Sequence, residues 1–164
     1  MPRLEIETLI KAPVSVVFDL ARSIDAHQLG QSRHLERAVA GRTWGLIELG
    51  ESVTWEAVHF GIRQRLTSRI VEMHAPAHFR DSMVSGAFKR FDHDHYFNAS
   101  DSGGTLMRDV FDYTAPCSFL GWVADRLFLM RYMTALLTER NRAIKTLAES
   151  NDLARFISGA NPTS

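Results

Sequence analysis

SFLGWVADRLFLMRYMTALLTERNRAIKTLAE, residues 118–149, is the stretch around which the rest of the chain can be arranged. Pro116-Cys-Ser118 supplies a stop followed by a capping residue, and no proline recurs before Pro162, so the segment predicts one long helix from Ser118 to about Glu149. Placed at 100° per residue, one side carries Phe119, Trp122, Leu129, Met130, Met133, Leu136, Leu137, Ile144 and Leu147. The opposite side carries Arg131, Thr138, Arg142, Lys145 and Glu149, the pattern of a helix laid on a sheet. Two charges interrupt the apolar stripe, Arg126 and Arg140. They are fourteen positions apart, about 21 Å along the axis, too far to hold one small group. Arg126 is expected at the mouth of any space under the helix. Arg140 either pairs inside with a carboxylate or snorkels past the sheet, and its place well inside the helix favours the pair.

Upstream, residues 3–11 alternate Leu4, Ile6, Thr8 and Ile10 against Glu5, Glu7 and Leu9, a half-buried strand. Pro13 suits the first turn of a helix running to about Ser23, with Val14, Val17, Phe18 and Ala21 on one side. A second short helix is expected over 23–31 with Asp25 as a possible cap, then a short strand over 35–40. Residues 41–50 read as a loop, yet Trp44, Leu46, Ile47 and Leu49 make it more apolar than a solvated loop requires. From 51 to 113 the chain becomes a meander of strands, 51–60, 62–72, 77–84, 88–97 and 105–113, separated by Gly61, His74-Ala-Pro76, Gly86 and the turn at 98–104. Strand, two helices, about six strands and a long helix make an α+β plan: a curved antiparallel sheet whose inner face the last helix closes.

Charges set the pleat. Arg63, Arg65, Arg69, Arg80, Arg90, Arg108 and Asp112 share one parity, so that side should face water. The other parity then faces the helix with Val53, Trp55, Ala57, His59, Ile62, Gln64, Leu66, Ile70, Phe79, Asp81, Met83, Phe91, His93, His95, Phe97, Met107, Asp109, Phe111 and Tyr113. Gln64, Asp81, His93, His95 and Asp109 are out of place in a plain core, because unpaired polar groups there cost a few kcal/mol each. Either they satisfy one another in a closed network or they line a cavity that holds something.

The ordered set Ile10-Lys-Ala-Pro-Val-Ser-Val-Val-Phe18, Pro76-Ala-His-Phe79, Gly86-Ala-Phe88 and Gly103-Gly-Thr-Leu-Met107, followed by Pro116, resembles the START-like, Bet v 1-like superfamily (SRPBCC, or polyketide cyclase/dehydrase-like, proteins). The similarity spans nearly all of residues 3–149 and rests on the order of the motifs rather than on any one of them. It implies the helix-grip fold: a seven-stranded antiparallel sheet gripping the C-terminal helix with a deep cavity between them. It also implies a hydrophobic ligand of lipid, sterol, polyketide or aromatic type, or in some members cyclase or dehydratase chemistry.

On that basis the expected ligand-binding set has apolar walls from Trp55, Leu66, Phe79, Met83, Phe97, Met107, Phe111, Met133 and Leu137. Gln64, Asp81, His93, His95, Asp109 and Arg140 would orient the ligand. The alternative is an enzyme in the same cavity, with His93 or His95 as base and Asp81 or Asp109 as its partner, since a histidine oriented by a carboxylate titrates near neutrality. His93 and His95 also have the spacing of metal ligands on a strand, with Asp81 or Asp109 as an oxygen donor. With no third histidine or cysteine placed beside them, no metal or other cofactor is expected.

Bulk composition narrows the rest. A chain of 164 residues, 45% of them hydrophobic, suits one globular domain over residues 1–150 with a loosely held tail over 151–164. Nineteen basic residues balance nineteen acidic ones, which gives no footprint for nucleic acid. The lone Cys117 excludes an internal disulfide and reads as a small buried hydrophobe. No secretory signal or span of eighteen apolar residues is present, so the expectation is a cytoplasmic protein without integral membrane association, a monomer or homodimer. Walker, GxGxxG, GxSxG, HExxH and paired CxxC motifs are absent. The segment Leu127–Met133 is apolar nearly all round, so the helix needs a second cover: the 44–49 loop, the first helices or a partner subunit.

Overall fold

The computed structural model describes residues 2–31, 35–115, 122–150 and 156, with only the backbone of 122–127. The Pro116-to-Ser118 cap, Cys117, Phe119, the side chains of Trp122 and Arg126, and nearly all of the tail therefore lie outside the described residues. The elements are β1 (Arg3–Ile10), α1 (Val14–Ala21), α2 (Ile24–Gly30), β2 (Arg37–Gly41), β3 (Ser52–His59), β4 (Ile62–His74), β5 (His78–Ser85), β6 (Arg90–Ala99), β7 (Thr105–Thr114) and α3 (Trp122–Ala148). The strands form one antiparallel sheet in the order β1-β7-β6-β5-β4-β3-β2, with β1 and β2 as edges. This is the helix-grip fold, with two short helices after the first strand and the long helix at the end.

Parity decides the two faces nearly as expected. Val53, Trp55, Ala57, Ile70, Phe79, Phe91, Phe97, Met107, Phe111 and Tyr113 are buried on the inner side. Ile62 is the exception at 63% exposed: it is the first residue of β4, at the hairpin turn. The outer side is less open to water than charge alone suggests. Glu56 accepts hydrogen bonds from Arg65 at 2.9 Å and Arg63 at 3.4 Å, and Asp94 from Arg80 and His78, both at 2.8 Å. The long arginine side chains lie across these carboxylates and bury both. Register shifts between Thr67 and Ser68 and between Ile70 and Glu72 interrupt the β4–β5 ladder. The second turns Glu72 to the outer side, beside Arg80, although Ile70 two residues earlier points in.

The cap of α2 is Ser23, whose Oγ accepts from the Ala26 amide at 3.2 Å; Asp25 instead accepts from the Gly45 amide at 2.8 Å. That bond helps fix the 42–51 loop to the α1–α2 corner, together with Ile24 N–H to Gly45 O and Ile47 N–H to Arg22 O. Ile47 is buried there, while Trp44 and Leu49 stay exposed. The second cover of α3 is thus the pair of first helices: Gln31 donates to the Leu136 carbonyl at 3.1 Å, and Gly30 faces Ala143 so closely that a Cβ would collide. Among the described residues these contacts reach α3 at Leu136 and Ala143, beyond the 127–133 segment that calls for a cover. Further up, Phe128 is 57% exposed and leans on Phe60, itself 58% exposed. None of the described helices is long and apolar enough to cross a membrane.

Two apolar clusters fill the grip. The larger joins Ile10, Phe18, Phe79, Phe97, Met107 and Ile144, where α1, α2 and the end of α3 meet the sheet. The smaller joins Leu4, Phe91, Phe111, Tyr113 and Leu137. Asp81, His93, His95, Asp109, Arg140 and Asn141 belong to neither cluster; the sequence marked all of these but Asn141, and Gln64, marked with them, lies further along β4 opposite Ala57.

Candidate functional site

A cavity of about 420 Å³ lies between the sheet and α3. Of the residues named from the sequence, Trp55, Gln64, Leu66, Phe79, Asp81, His93, His95, Phe111, Met133, Leu137 and Arg140 line it. Met83, Phe97, Met107 and Asp109 do not. Phe97 and Met107 point inward as parity requires, but toward α1 and the end of α3, where they are consumed by the larger core cluster. Met83 packs at the margin of the smaller one. Asp109 is removed from the cavity because His93, His95, Arg140 and Asn141 close over it.

Ladder register builds the polar end. Asp81 on β5 is opposite His93 on β6, and His95 is opposite Asp109 on β7, so four side chains from three neighbouring strands share one face. The side chain of Asp109 has no exposed surface. Its Oδ1 accepts from His95 Nδ1 at 2.6 Å and from Arg140 at 3.4 Å, and its Oδ2 accepts from Asn141 at 2.6 Å. Arg140 is further held by the Ala21 carbonyl at 3.0 Å, which ties α1 to the same carboxylate. The snorkelling alternative for Arg140 is thus excluded: it is 6% exposed and paired internally. On the cavity side, His95 Nε2 lies 3.1 Å from Asp81 Oδ1, and the His95 ring stacks on Phe79. The His93 ring sits 3.8 Å from that of His95, with its Nε2 3.2 Å from Asp109 Oδ1 but off the line that a hydrogen bond needs.

Burial of Asp109 works to raise its pKa, but the two imidazoles and Arg140 outweigh it and hold the carboxyl well below the usual range. Asp81 is shifted down in the same way, with burial opposed by the His95 hydrogen bond and the nearby positive charges. His93 is pushed down to about 4, first by burial and then by the neighbouring His95.

That shift has a consequence for stability. The unfolded chain protonates His93 near 6.5 while the folded one resists until about 4, so stability from this group is present above 6.5 and lost as pH falls through that window. Asp81, His95 and Asp109, from β5, β6 and β7, are the charged and titratable groups facing it, and Arg140 of α3 reaches it only through Asp109. Going from about pH 7 to about pH 4.5, the His93 share of the loss is roughly 2 kcal/mol. Urea denaturation at both pH values is expected to show a smaller acid loss in His93→Gln than in the wild-type chain by about that amount. Equal losses would mean that His93 is protonated in the folded protein.

Around the site, Asn141 and His27 carry no mark in the sequence, and His59 is marked only as inward-facing. Asn141 lies on the same side of α3 as Leu137, Ile144 and Ala148, so the helical period places it, but its lack of charge lets it pass. His27 of α2 stacks on Trp55 at 4.2 Å and faces Glu36 at 3.4 Å. His59 Nδ1 and the Tyr132 hydroxyl are 2.6 Å apart beside Phe60 and Phe128, where the cavity meets solvent. No local pattern pairs residues so far apart in the chain.

No family model matches the chain, and no curated protein matches it in sequence. Solved structures do match. A protein from Thermus thermophilus is 20% identical, with 91% of this chain and 100% of that one covered and a TM-score of 0.69. A START superfamily protein from Mycobacterium smegmatis is 10% identical, covering 90% and 97%, with a TM-score of 0.68. Ginseng major latex-like protein 151 from Panax ginseng is 16% identical, covering 91% and 98%, with a TM-score of 0.63. At these identities the likeness establishes the fold, which is that of the START-like, Bet v 1-like superfamily.

Proposed function

We propose that this protein binds a hydrophobic small molecule of lipid, polyketide or aromatic type in the cavity between the sheet and α3. The observation that carries the reading is the cavity itself: about 420 Å³ of space walled by Leu66, Phe79, Phe111, Met133 and Leu137, with Asp81, His93, His95 and Arg140 together in one part of its lining. That volume falls within the range of about 300–1,000 Å³ usual for small-molecule sites. The apolar walls would provide affinity, and Gln64, Asp81, His93 and His95 would fix orientation. Methionine at 133 gives the wall an adaptable surface for a ligand of irregular shape. In this reading the partner is a small molecule in the cytoplasm, not a nucleic acid.

Native mass spectrometry of the protein purified without detergent tests it. A bound organic molecule, released on denaturation, is the expected result. A chain that arrives empty and takes up no hydrophobic probe would overturn the reading.

A second reading has a specific observation behind it. His95 is held by Asp109 through one ring nitrogen while the other faces Asp81 at the cavity wall, an arrangement suited to moving a proton next to a ligand carbonyl. On that reading the protein is a cyclase or dehydratase. His95→Gln would then abolish turnover of a bound polyketide-type substrate while its affinity persists; a binding protein would show no turnover in either form.

A further inference from the structure

We propose that Asp81, His93 and His95 form a binding site for a divalent first-row transition-metal ion of the zinc class at the polar end of the cavity. The three offer one donor atom each, and those atoms lie within 4.8 Å of one another. Asp81 Oδ1 is 3.1 Å from His95 Nε2 and 3.8 Å from His93 Nδ1. Ligands about 2.0–2.1 Å from a zinc-like ion at tetrahedral to octahedral angles stand about 2.8–3.4 Å apart, so small side-chain adjustments close the set around an ion.

What separates this group from a chance cluster is the carboxylate behind it. Asp109 Oδ1 accepts a hydrogen bond from His95 Nδ1 at 2.6 Å and lies 3.2 Å from His93 Nε2. One fully buried carboxylate therefore holds His95 by its far nitrogen and lies beside that of His93, which leaves His95 Nε2 and His93 Nδ1 on the side of Asp81. A carboxylate that orients a histidine from its far nitrogen is the usual support of a histidine–metal bond, since it fixes the tautomer and raises the basicity of the coordinating nitrogen. Asn141 and Arg140 hold Asp109 in turn, so the support is itself rigid. Two nitrogens and one carboxylate oxygen suit a borderline ion rather than magnesium or calcium, which prefer oxygen alone. All three side chains line the cavity, so the ion's remaining positions would be open to a ligand oxygen entering it.

The site is independent of whether an organic ligand is present, so its test needs none. Full-length protein stripped by a chelator is titrated with Zn²⁺ by calorimetry and with Co²⁺ by visible absorption. One equivalent is expected to bind, with ligand-field bands of a four- or five-coordinate nitrogen–oxygen site. Asp81→Asn and His95→Gln are each expected to weaken Zn²⁺ at least tenfold, with circular dichroism confirming the fold. If His95→Gln fails to fold, Asp81→Asn decides alone.

The control is His74→Ala, which removes the competing surface trio of Glu72, His74 and His78. That trio is the poorer site because His74 and Glu72 are solvated, with side chains 70% and 42% exposed, and nothing buried fixes them. Absence of saturable uptake by the wild-type protein overturns the proposal. So does uptake that survives Asp81→Asn, or that disappears with His74→Ala.

Discussion

Replacing Asp109 by alanine is expected to destabilise the protein by about 3–5 kcal/mol, the largest effect of any single substitution considered for this site. The magnitude follows from what the carboxylate leaves behind. Arg140 would remain 6% exposed with its charge uncompensated, and His95 Nδ1 and Asn141 Nδ2 would lose their shortest hydrogen bonds. Arg140 also reaches the Ala21 carbonyl, so the strain passes to the packing of α1. Reversible urea denaturation at neutral pH measures it, with Asp92→Ala on the outer face as the reference. Asp92 makes comparable bonds to Ser82 and Arg90, but in partly solvated surroundings, and its removal should cost less than about 1 kcal/mol. A loss at Asp109 no larger than at Asp92 would mean that water replaces the carboxylate, and that the polar end of the cavity is wetter than its burial indicates.

Filling the cavity is expected to have the opposite signature. Leu66→Trp combined with Met133→Trp places two indoles in the space between β4 and α3, both from residues that line it. Affinity for an anilinonaphthalene-type fluorescent probe should fall at least about 100-fold, equivalent to about 2.7 kcal/mol. The melting temperature should hold or rise, because apolar volume enters a void rather than a packed core. A variant that melts lower and still binds the probe would place the binding surface elsewhere, with the exposed Phe60 and Phe128 as the next candidates. The two experiments separate the cavity's two ends, since Asp109 supports the polar end and Leu66 and Met133 form the apolar one.

The sheet is readable from local pattern because a strand has only two faces, and a run of arginines on one of them settles which is which. The strands lie within two residues of their expected limits, and β7 gains one residue beyond Tyr113. The inward direction of Asp81, His93, His95 and Asp109 follows from the same rule. Where the period-two rule fails, the cause is local. Ile62 begins its strand at the hairpin turn, where it stays open to water, and the bulge at Ile70 to Glu72 shifts the faces midway along β4. Asp25 does not cap α2 although its residue type could, because Ser23 and Asp25 are both competent caps and the Gly45 amide twenty residues away takes the aspartate.

The amino-acid sequence by itself determined the elements, their order and which side chains point inward, because these depend on the backbone's two periodicities and on nearby turn residues. It also marked five inward polar residues as needing an explanation. Only the tertiary structure decided what those residues do for one another. Parity cannot distinguish Asp81, which keeps 17% of its side chain exposed, from Asp109, which has none. That difference is set by where α3 crosses the sheet, by Asn141 and Arg140 descending onto β7, and by the first helices pressing α3 down at its far end. The same placement leaves the cavity open beside Met133 and closes it over Phe97 and Met107. Contacts spanning from 31 to 119 residues of chain fix that geometry, and no short-range pattern records them.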